Sequence, residues 1–380
     1  SALGLPLDGT NWINVDGIDP GNLSISWFSP DELFANGQEY ASFYGYDHTG
    51  KKLTSRVTFN DFFTKTYIDQ VGNRRYSRLI PAFEPIYMAG YIQDKFAFND
   101  LIFNIGLRVD YFDLNQKVLK DPYLFFETHT VGETYPIQQY GWMYNDQGQI
   151  AIPSNVPKGS YIYVNNSSDP TEIVGFRNGR TWYNAEGIVV NSHTAIGEIQ
   201  PFLVDGDQVG SQSFLNSFKD YKPEIVPMPR ISFSFPVSDE ALFFAHYDVL
   251  TKRPAIGRIN YLDYLFIRNQ EKQVISNPNT RPEKTIDYEL GFQQKVSETS
   301  SIKLSAFYRE MRDMIQLMSV AGAYPVSYLT YGNLDFGTVK GFTGTYDLRR
   351  TGNVSLRTTY TLQFAKGTGS DATTAYNLII

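Results

Sequence analysis

Cysteine is absent from the 380-residue sequence, and only four histidines occur. Disulfides and thiolate metal sites are therefore excluded, and a zinc enzyme is not expected. The chain contains no run of about 18 or more apolar residues, so no transmembrane helix is predicted. The net charge of −7 argues against nucleic acid as a partner.

The short motifs that carry enzyme chemistry are also missing. No GxSxG, HExxH, P-loop or GxGxxG pattern occurs in the context that its chemistry requires. We therefore predict that the chain is not an enzyme, that it holds no metal and that it uses no cofactor.

Two acidic segments leave calcium open as an alternative. Asp8 to Asn22 and Tyr144 to Gln149 are rich in Gly and Asn, and hard cations favour carboxylate and carbonyl oxygens. The spacing does not match an EF-hand loop, and turn formation is a sufficient explanation for both segments.

Aromatic residues and alternating segments, by contrast, are abundant. The 27 Tyr and 27 Phe bring the aromatic share to 15%. The segment LIFNIGLRVDYF, residues 101–112, alternates apolar residues with Asn104, Arg108 and Asp110. RISFSFPV, TIDYELGF and VSLRTTYTLQF alternate in the same way. Such segments predict strands with one apolar and one polar face, and their length suits the roughly 9–11 residues of a membrane-crossing strand.

Connection lengths are strongly asymmetric. Strand pairs are predicted at 86–112, 230–250, 285–317 and 339–366, each closed by a short turn. Long connections are predicted at 1–85, 113–229, 251–284 and 318–338, and 367–380 begins another. Outer-membrane barrels show this pattern, with short periplasmic turns and long extracellular loops. We predict an all-β fold, a transmembrane antiparallel β-barrel with long extracellular loops. A soluble β-sandwich would alternate similarly.

Several motifs resemble the barrel strands of TonB-dependent outer-membrane receptors. They are Pro282-Glu283, the YELGF step at 288–292, the YGN step at 331–333 and VKGF at 339–342. The resemblance covers about 86–112 and 229–366. The large loops and the stretch FYGYDHTGKK are most similar to Oar-like receptors of Bacteroidetes, which carry a carboxypeptidase-regulatory-like domain before the plug.

The resemblance implies that the chain is a C-terminal section of a roughly 22-stranded barrel. The intact protein would lie in the bacterial outer membrane and bind a nutrient at the cell surface for TonB-energised import. The ligand would be a peptide, a protein or a glycan. The implied partners are outer-membrane lipid, the protein's own plug domain, a TonB-type energising complex and a surface lipoprotein. The alternatives are a passive structural or adhesive outer-membrane barrel, and a secreted soluble glycan-binding β-protein.

Two groups of residues are candidates for binding. Aromatic residues of the segment 113–229 offer a stacking surface for a ligand, or else form that segment's own small core. They are Tyr140, Trp142, Tyr144, Trp182 and Tyr183. The second group consists of polar strand residues that are predicted to face the lumen, either to contact substrate or plug or simply to line a solvated wall. They are Arg108, Asp110, His246 and Asp248.

Overall fold

The computed structural model describes residues 14–69, 72–133, 140–144, 152–255, 259–269 and 274–368. The chain divides into two compact units, Ser1–Ala82 and Phe83–Ile380. Among the described residues, no helix has the length and apolar character needed to cross a membrane.

The unit Ser1–Ala82 is a small folded body built around phenylalanine side chains. Its elements are 3₁₀ helices at Val15–Gly17, Pro20–Asn22, Ile25–Trp27 and Glu32–Gly37, helix α1 at Phe59–Thr64, and strands β1 at Thr66–Ile68 and β2 at Arg74–Tyr76. Phe34 and Phe62 are fully buried, with ring centroids 6.1 Å apart. Buried Arg78 donates from Nε to Asp31 Oδ1 over 2.6 Å and from Nη1 to the Phe62 carbonyl oxygen over 3.0 Å. A residue range predicted as a connection therefore has its own core.

The unit Phe83–Ile380 contains the remaining strands and two short α-helices. The strands are β3 Ile86–Phe98, β4 Leu101–Asp113, β5 Lys117–Leu119, β6 Tyr161–Val164, β7 Ile173–Asn178, β8 Thr181–Asn184, β9 Val189–Val190, β10 Gln200–Pro201, β11 Phe218–Asp220, β12 Glu224–Ser238, β13 Ala241–Lys252, β14 Val274–Ile275, β15 Glu283–Ser297, β16 Ser300–Val320, β17 Tyr328–Thr351 and β18 Val354–Gly367. The helices are α2 Gln212–Asn216 and α3 Tyr261–Leu265, and 3₁₀ turns lie at Gly141–Met143, His193–Ala195 and Ile267–Asn269.

Eight long strands form one antiparallel sheet in the order β3-β4-β12-β13-β15-β16-β17-β18. Each strand pairs with its neighbour in this order, and β14 adds a short parallel pair at the far end of β17. The all-β antiparallel fold is thus confirmed. The segment REMRDMIQ, residues 309–316, lacks the alternation of the other strands. The β16–β17 register shifts there, between Met311 and Met314, which makes this irregularity a β-bulge.

One face of this sheet is polar. Asn104 Nδ2 donates to Ser232 Oγ over 3.1 Å, and farther along the sheet Asp287 Oδ2 accepts from Arg309 Nη2 over 2.6 Å. Thr343 and Thr361 continue the polar face onto β17 and β18, with their hydroxyls 3.1 Å apart.

The opposite face is apolar and aromatic. Tyr247, Tyr288 and Tyr308 stand in register on β13, β15 and β16, with ring centroids 5.1 Å and 6.1 Å apart. Leu290 and Phe342 on the same face are 54% and 64% exposed, so this face is not covered by another layer of the described chain. The alternation read from the sequence therefore separates two chemically different surfaces.

At one end of the sheet the long connections are folded. Within 114–223, strands β10-β6-β7-β8-β9 form a second antiparallel sheet, and β5 pairs with β11. We call the described parts of 114–223, 253–282 and 321–327 the cap.

A shared aromatic core joins the cap to the start of β17. Phe125, in the cap segment 114–223, lies 5.9 Å from the ring of Tyr264, in the cap segment 253–282, and 5.3 Å from the ring of Tyr328 at the start of β17. Phe218 packs on Tyr264 at 5.2 Å. Burial raises the pKa of Tyr264, because an ionised phenolate would lose its hydration in this core. The connections that make up the cap therefore share one core.

Candidate functional site

The four predicted polar strand residues share one face of the long sheet. Ser232 of β12 pairs directly with Asn104 of β4 and with His246 of β13, so these three side chains lie on the same face. Arg108 and Asp110 lie on that face because they are an even number of residues from Asn104, and Asp248 does because it is two residues from His246. Their orientation toward a lumen remains a prediction.

Arg108 and Asp110 form a closed network with Tyr87 of β3. Arg108 Nε donates to Asp110 Oδ1 over 2.7 Å, and its Nη2 donates to the Tyr87 hydroxyl over 2.7 Å. The Tyr87 hydroxyl in turn donates to Asp110 Oδ2 over 2.6 Å. Arg253, just beyond β13, stacks 4.3 Å above the Tyr87 ring. This corner of the polar face thus presents two guanidinium groups near the cap.

His246 and Asp248 have other neighbours. His246 Nε2 lies 3.7 Å from Glu289 Oε2, and Asp248 Oδ1 lies 2.9 Å from Arg230 Nε. The four predicted residues therefore form three separate groups of contacts on the sheet face: Arg108 and Asp110 with Tyr87, His246 with Glu289, and Asp248 with Arg230. The arrangement resembles a hydrated, ion-paired wall more than a single converging site.

The five predicted aromatic residues fall on two sides of the cap sheet. Tyr140, Trp142, Tyr144 and Tyr183 are partly buried against a core that includes Phe176. Trp182 lies with Leu124 and Tyr163 in a different cluster and is 5% exposed. Successive residues of a strand point to opposite faces, which separates Trp182 from Tyr183. Binding by these rings stays a prediction; what the structure describes is their packing.

Arg177 on β7 was not singled out from the sequence. It joins the five-stranded sheet of the cap to the segment that follows β5. Arg177 is fully buried, and its Nη2 and Nη1 donate to Asp121 Oδ1 and Oδ2 over 2.8 Å and 3.1 Å. Its Nε donates to the Tyr163 hydroxyl over 3.0 Å, and its guanidinium stacks 4.4 Å from the Tyr123 ring. Burial would lower the pKa of Arg177, but Tyr163 and Asp121 raise it above its ordinary value. The charge is therefore retained.

Beside this ion pair the cap contains an open cleft of about 360 Å³. Its floor includes Leu124 and Phe126, which are 3% and 1% exposed. Its walls carry side chains of both charges and several amide or hydroxyl groups. They are Lys120, Asp121, Glu127, Thr128, His129, Thr130, Glu133, Tyr161, Asn216 and Ser217, together with Val204.

The carboxylates of the cleft are held in place by neighbouring donors. Glu127 Oε2 accepts from Asn216 Nδ2 over 2.8 Å. Glu133 accepts from the backbone and hydroxyl of Thr130, each over 2.9 Å, and lies 2.6 Å from His129 Nδ1. Burial raises the pKa of Glu133, but these hydrogen bonds outweigh it and hold that pKa below its ordinary value. An apolar floor with oriented polar walls suits a small polar ligand.

No group of three or more His, Asp or Glu side chains within the described ranges could hold a metal ion. The segment 8–22 is described only from residue 14, and of 144–149 only Tyr144 is described. Most residues of the two segments considered for calcium binding therefore lie outside the described residues.

Comparison with known proteins gives a family match. A family model described as "TonB dependent receptor-like, beta-barrel" matches residues 4–378. No curated protein matches the sequence.

Solved structures with a similar arrangement are transporters and receptors. The FrpB iron transporter from Neisseria meningitidis is 11% identical with a TM-score of 0.37, over 74% of this chain and 26% of that one. A double mutant of the Serratia marcescens hemophore receptor HasR, in complex with its hemophore HasA and heme, is 13% identical with a TM-score of 0.40, over 75% and 34%. The outer-membrane transporter YddB from Escherichia coli is 11% identical with a TM-score of 0.34, over 81% and 38%. The chain thus spans well under half the length of each of these proteins.

Proposed function

Because this chain belongs to the TonB-dependent receptor-like β-barrel family, we propose that the intact protein binds a nutrient at the cell surface and imports it across the outer membrane. The chain is an outer-membrane protein, which removes the secreted soluble alternative. Members of the family are receptors and transporters rather than enzymes, and the absence of catalytic motifs in this sequence agrees with that role.

The whole-protein partners are part of this proposal. A plug domain would fill the lumen against the polar face that carries Arg108 and His246, and a TonB-type complex would supply energy. The subtype with a carboxypeptidase-regulatory-like domain, as in Oar-like receptors, and a surface lipoprotein partner rest on the FYGYDHTGKK resemblance and on the large connections.

The observation that carries the proposal is the folded cap. Long connections that share the Phe125, Tyr264 and Tyr328 core present a preformed surface, which reduces the ordering cost of ligand binding. A passive pore has no need for such a body. The cleft lined by Lys120 and Glu127 offers both charges, which complement the two charged ends of a peptide, and its polar side chains can also form hydrogen bonds with the hydroxyl groups of a glycan. We therefore favour peptide or glycan ligands over a purely apolar one.

The test combines binding and uptake in the intact protein. Labelled peptide and glycan pools would be presented to cells carrying the natural protein or the cleft variant Lys120→Gln/Glu127→Gln. The control Lys158→Gln/Glu172→Gln makes the same chemical change at two exposed cap positions outside the cleft. We expect one pool to be imported, and only the cleft variant to lose that import at unchanged surface level.

Collapse of the inner-membrane proton gradient separates the remaining alternatives. Energised import would stop, whereas leakage through a passive barrel would continue. Cells that import neither pool but adhere through the cap would support the adhesive alternative and contradict the proposal.

A further inference from the structure

The apolar face of the long strands ends in basic residues on the side of the cap. Lys284 of β15 and Arg312 of β16 are directly paired in the strand register. Tyr288 and Tyr308 are paired four residues nearer the short turn, and their rings meet on the apolar face. Alternation therefore places Lys284 and Arg312 on that same face, above the tyrosines.

The next two strands continue this basic set. Lys340 of β17 pairs with Tyr308 and with Phe364 of β18, so it shares their face. Lys366 of β18 lies two residues beyond Phe364 and is exposed, as Lys340 is. Four adjacent strands thus each contribute one cation. We call these four residues the basic patch: Lys284, Arg312, Lys340 and Lys366.

Within the part of the chain that the structure describes, most of this charge is uncompensated. Arg312 Nε donates to Glu310 Oε1 over 2.6 Å, but the three lysines form no ion pair within the described chain. The nearby acids are engaged elsewhere: Asp313 pairs with Arg281 at 2.8 Å, and Glu283, on the polar face, pairs with Lys252 at 3.4 Å.

Like charges that face each other across strands are unfavourable unless an anion lies between them. Lys284 and Arg312 are such a pair, and Glu310 compensates only Arg312. Lys284, like Lys340 and Lys366, has no ion pair within the described chain, so the patch favours an anion from outside it.

The neighbouring residues identify that partner. Tyr308 and Phe364 pair directly with Lys340, and Phe342 lies two residues nearer the short turn on the same face. The three rings are 40%, 55% and 64% exposed, in that order. Cationic side chains that border exposed aromatic and apolar residues match the boundary between acyl chains and headgroups. We propose that the basic patch binds the phosphate groups of a lipid in the outer leaflet. The inference rests on the proposed function for the placement of the cap at the cell surface.

The site would take the lipid from the side of the barrel wall. Its acyl chains would lie along Phe342 and Phe364, and its phosphate would meet Lys340 and Lys366 on one side and Arg312 on the other. The guanidinium of Arg312 offers a planar set of donors, which suits phosphate oxygens. The lipid would hold β15 to β18 together below the cap.

The test uses the intact protein in a detergent that contains no phosphate. Dioleoyl phosphatidic acid, dioleoylglycerol and inorganic phosphate would be added separately, and bound lipid would be measured by native mass spectrometry. We expect retention of the phosphatidic acid alone. The variant Lys284→Gln/Lys340→Gln/Lys366→Gln should weaken this retention by about tenfold or more, because each of the three lysines contributes to the electrostatic attraction of the anionic lipid.

The matched control is Lys95→Gln/Lys252→Gln/Lys303→Gln, which removes three lysines from the polar face of the same sheet. It should retain the lipid as the natural protein does. Equal loss in both variants would overturn the proposal, because net charge would then explain the effect. Equal retention of dioleoylglycerol would overturn it as well, and so would binding of inorganic phosphate without the lipid.

Failure of this inference is separable from failure of the proposed function. Cells that carry the triple patch variant would be tested for import of the ligand pool. If the variant retains the lipid as the natural protein does, and the natural protein imports a ligand pool, the lipid site is contradicted and the receptor function is supported. If the lipid is retained specifically but no pool is imported, the lipid site is supported and the receptor function is contradicted.

Discussion

The hydroxyl of Tyr324 donates a hydrogen bond to Asp207 Oδ2 over 2.7 Å and so joins the turn after β16 to the cap segment 114–223. Asp207 also forms an ion pair with Arg268 of the cap segment 253–282, whose Nη2 donates to the Asp207 carbonyl oxygen over 2.6 Å. The three connections of the cap therefore meet at one residue. Backbone contacts reinforce the junction, since the Tyr324 amide donates to the Tyr123 carbonyl oxygen over 2.9 Å.

The substitution Asp207→Asn is expected to loosen this junction and leave the long sheet unchanged. It removes the charge that Arg268 and the Tyr324 hydroxyl both engage, and a hydrogen bond to a charged group contributes about 1.5–3 kcal/mol in favourable cases. Partial exposure of the pair places the effect at the low end. Hydrogen exchange at the Tyr324 amide should become faster. Asp169→Asn, at an exposed cap position, is the control and should exchange like the natural protein.

Acid should act on the same junction. Burial raises the pKa of Asp207, but bonds from Tyr324 and Arg268 outweigh it and lower that pKa below its ordinary value. The stabilisation is therefore present above the pKa of the unfolded carboxyl and is lost as the pH falls through the lower folded value. Protection of the Tyr324 amide, measured relative to the intrinsic exchange rate at each pH, should fall in acid in the natural protein. If Asp207→Asn shows the same loss of protection, another group is responsible.

Arg177 is expected to be the most sensitive single position in the cap. Arg177→Met leaves Asp121 and the Tyr163 hydroxyl without their donor, and breaking one partner of a buried ion pair costs about 3–5 kcal/mol. Limited proteolysis should then cut within the cap while the long strands stay protected. Arg180→Met, three residues on and exposed, changes the same side chain in the same hairpin and should remain resistant.

A double substitution separates charge from packing at this position. Replacing both partners, as Arg177→Met/Asp121→Leu, removes the buried charge along with its donor and should recover part of the lost resistance. A double variant as labile as Arg177→Met alone would show that stacking on Tyr123, rather than the ion pair, stabilises the cap.

The long strands were predictable because their signal is local. Alternation in 101–112 fixes two faces regardless of what lies elsewhere in the chain. The polar set of Arg108, Asp110, His246 and Asp248 was placed on one face for the same reason. The loss of alternation at REMRDMIQ, residues 309–316, is compatible with a bulge or a strand end, and the structure has the bulge, between Met311 and Met314.

The cap was not predictable, since its contacts join residues that are distant in sequence. Arg177 is 56 positions from Asp121, and Tyr324 is 117 positions from Asp207. Neither pair has a motif. The grouping of Trp182 with Tyr183 ignored the alternation of β8, a strand too short to give a clear pattern.

Gly291 is expected to tolerate no side chain, because it lies beneath an aromatic ring on the polar face. A Cβ at this position would lie 2.8 Å from the Leu304 carbonyl oxygen and closer still to the ring of Phe244. Lys303 in turn lies 4.4 Å above that ring, which limits its movement. Gly291→Ala should destabilise the sheet by about 1–3 kcal/mol, as overpacking does. Gly90→Ala on β3, where a Cβ meets nothing within 4 Å, is the control.

The readout for Gly291→Ala is the temperature at which the detergent-extracted intact protein loses its β-sheet circular dichroism. We expect a lower temperature than for the natural protein and no change for Gly90→Ala. Adding Phe244→Ala to Gly291→Ala should recover only part of the loss, because the Leu304 carbonyl oxygen stays in place. Full stability of Gly291→Ala alone would show that the strands shift to accommodate a methyl group.

Alkaline pH is expected to open the cap through Tyr163. Burial raises the pKa of this phenol from 10.0 to about 12, although Arg177 opposes the shift. The folded cap thus favours the neutral phenol, and this contribution is fully present below the unfolded value of 10.0 and lost as the pH rises toward about 12. Protection of cap amides should fall across that interval in the natural protein and less steeply in Tyr163→Phe, with Tyr40→Phe, which changes a 64% exposed ring, as control. An equally steep fall in Tyr163→Phe would assign the transition to other buried tyrosines with raised pKa values, such as Tyr221, Tyr264 and Tyr328.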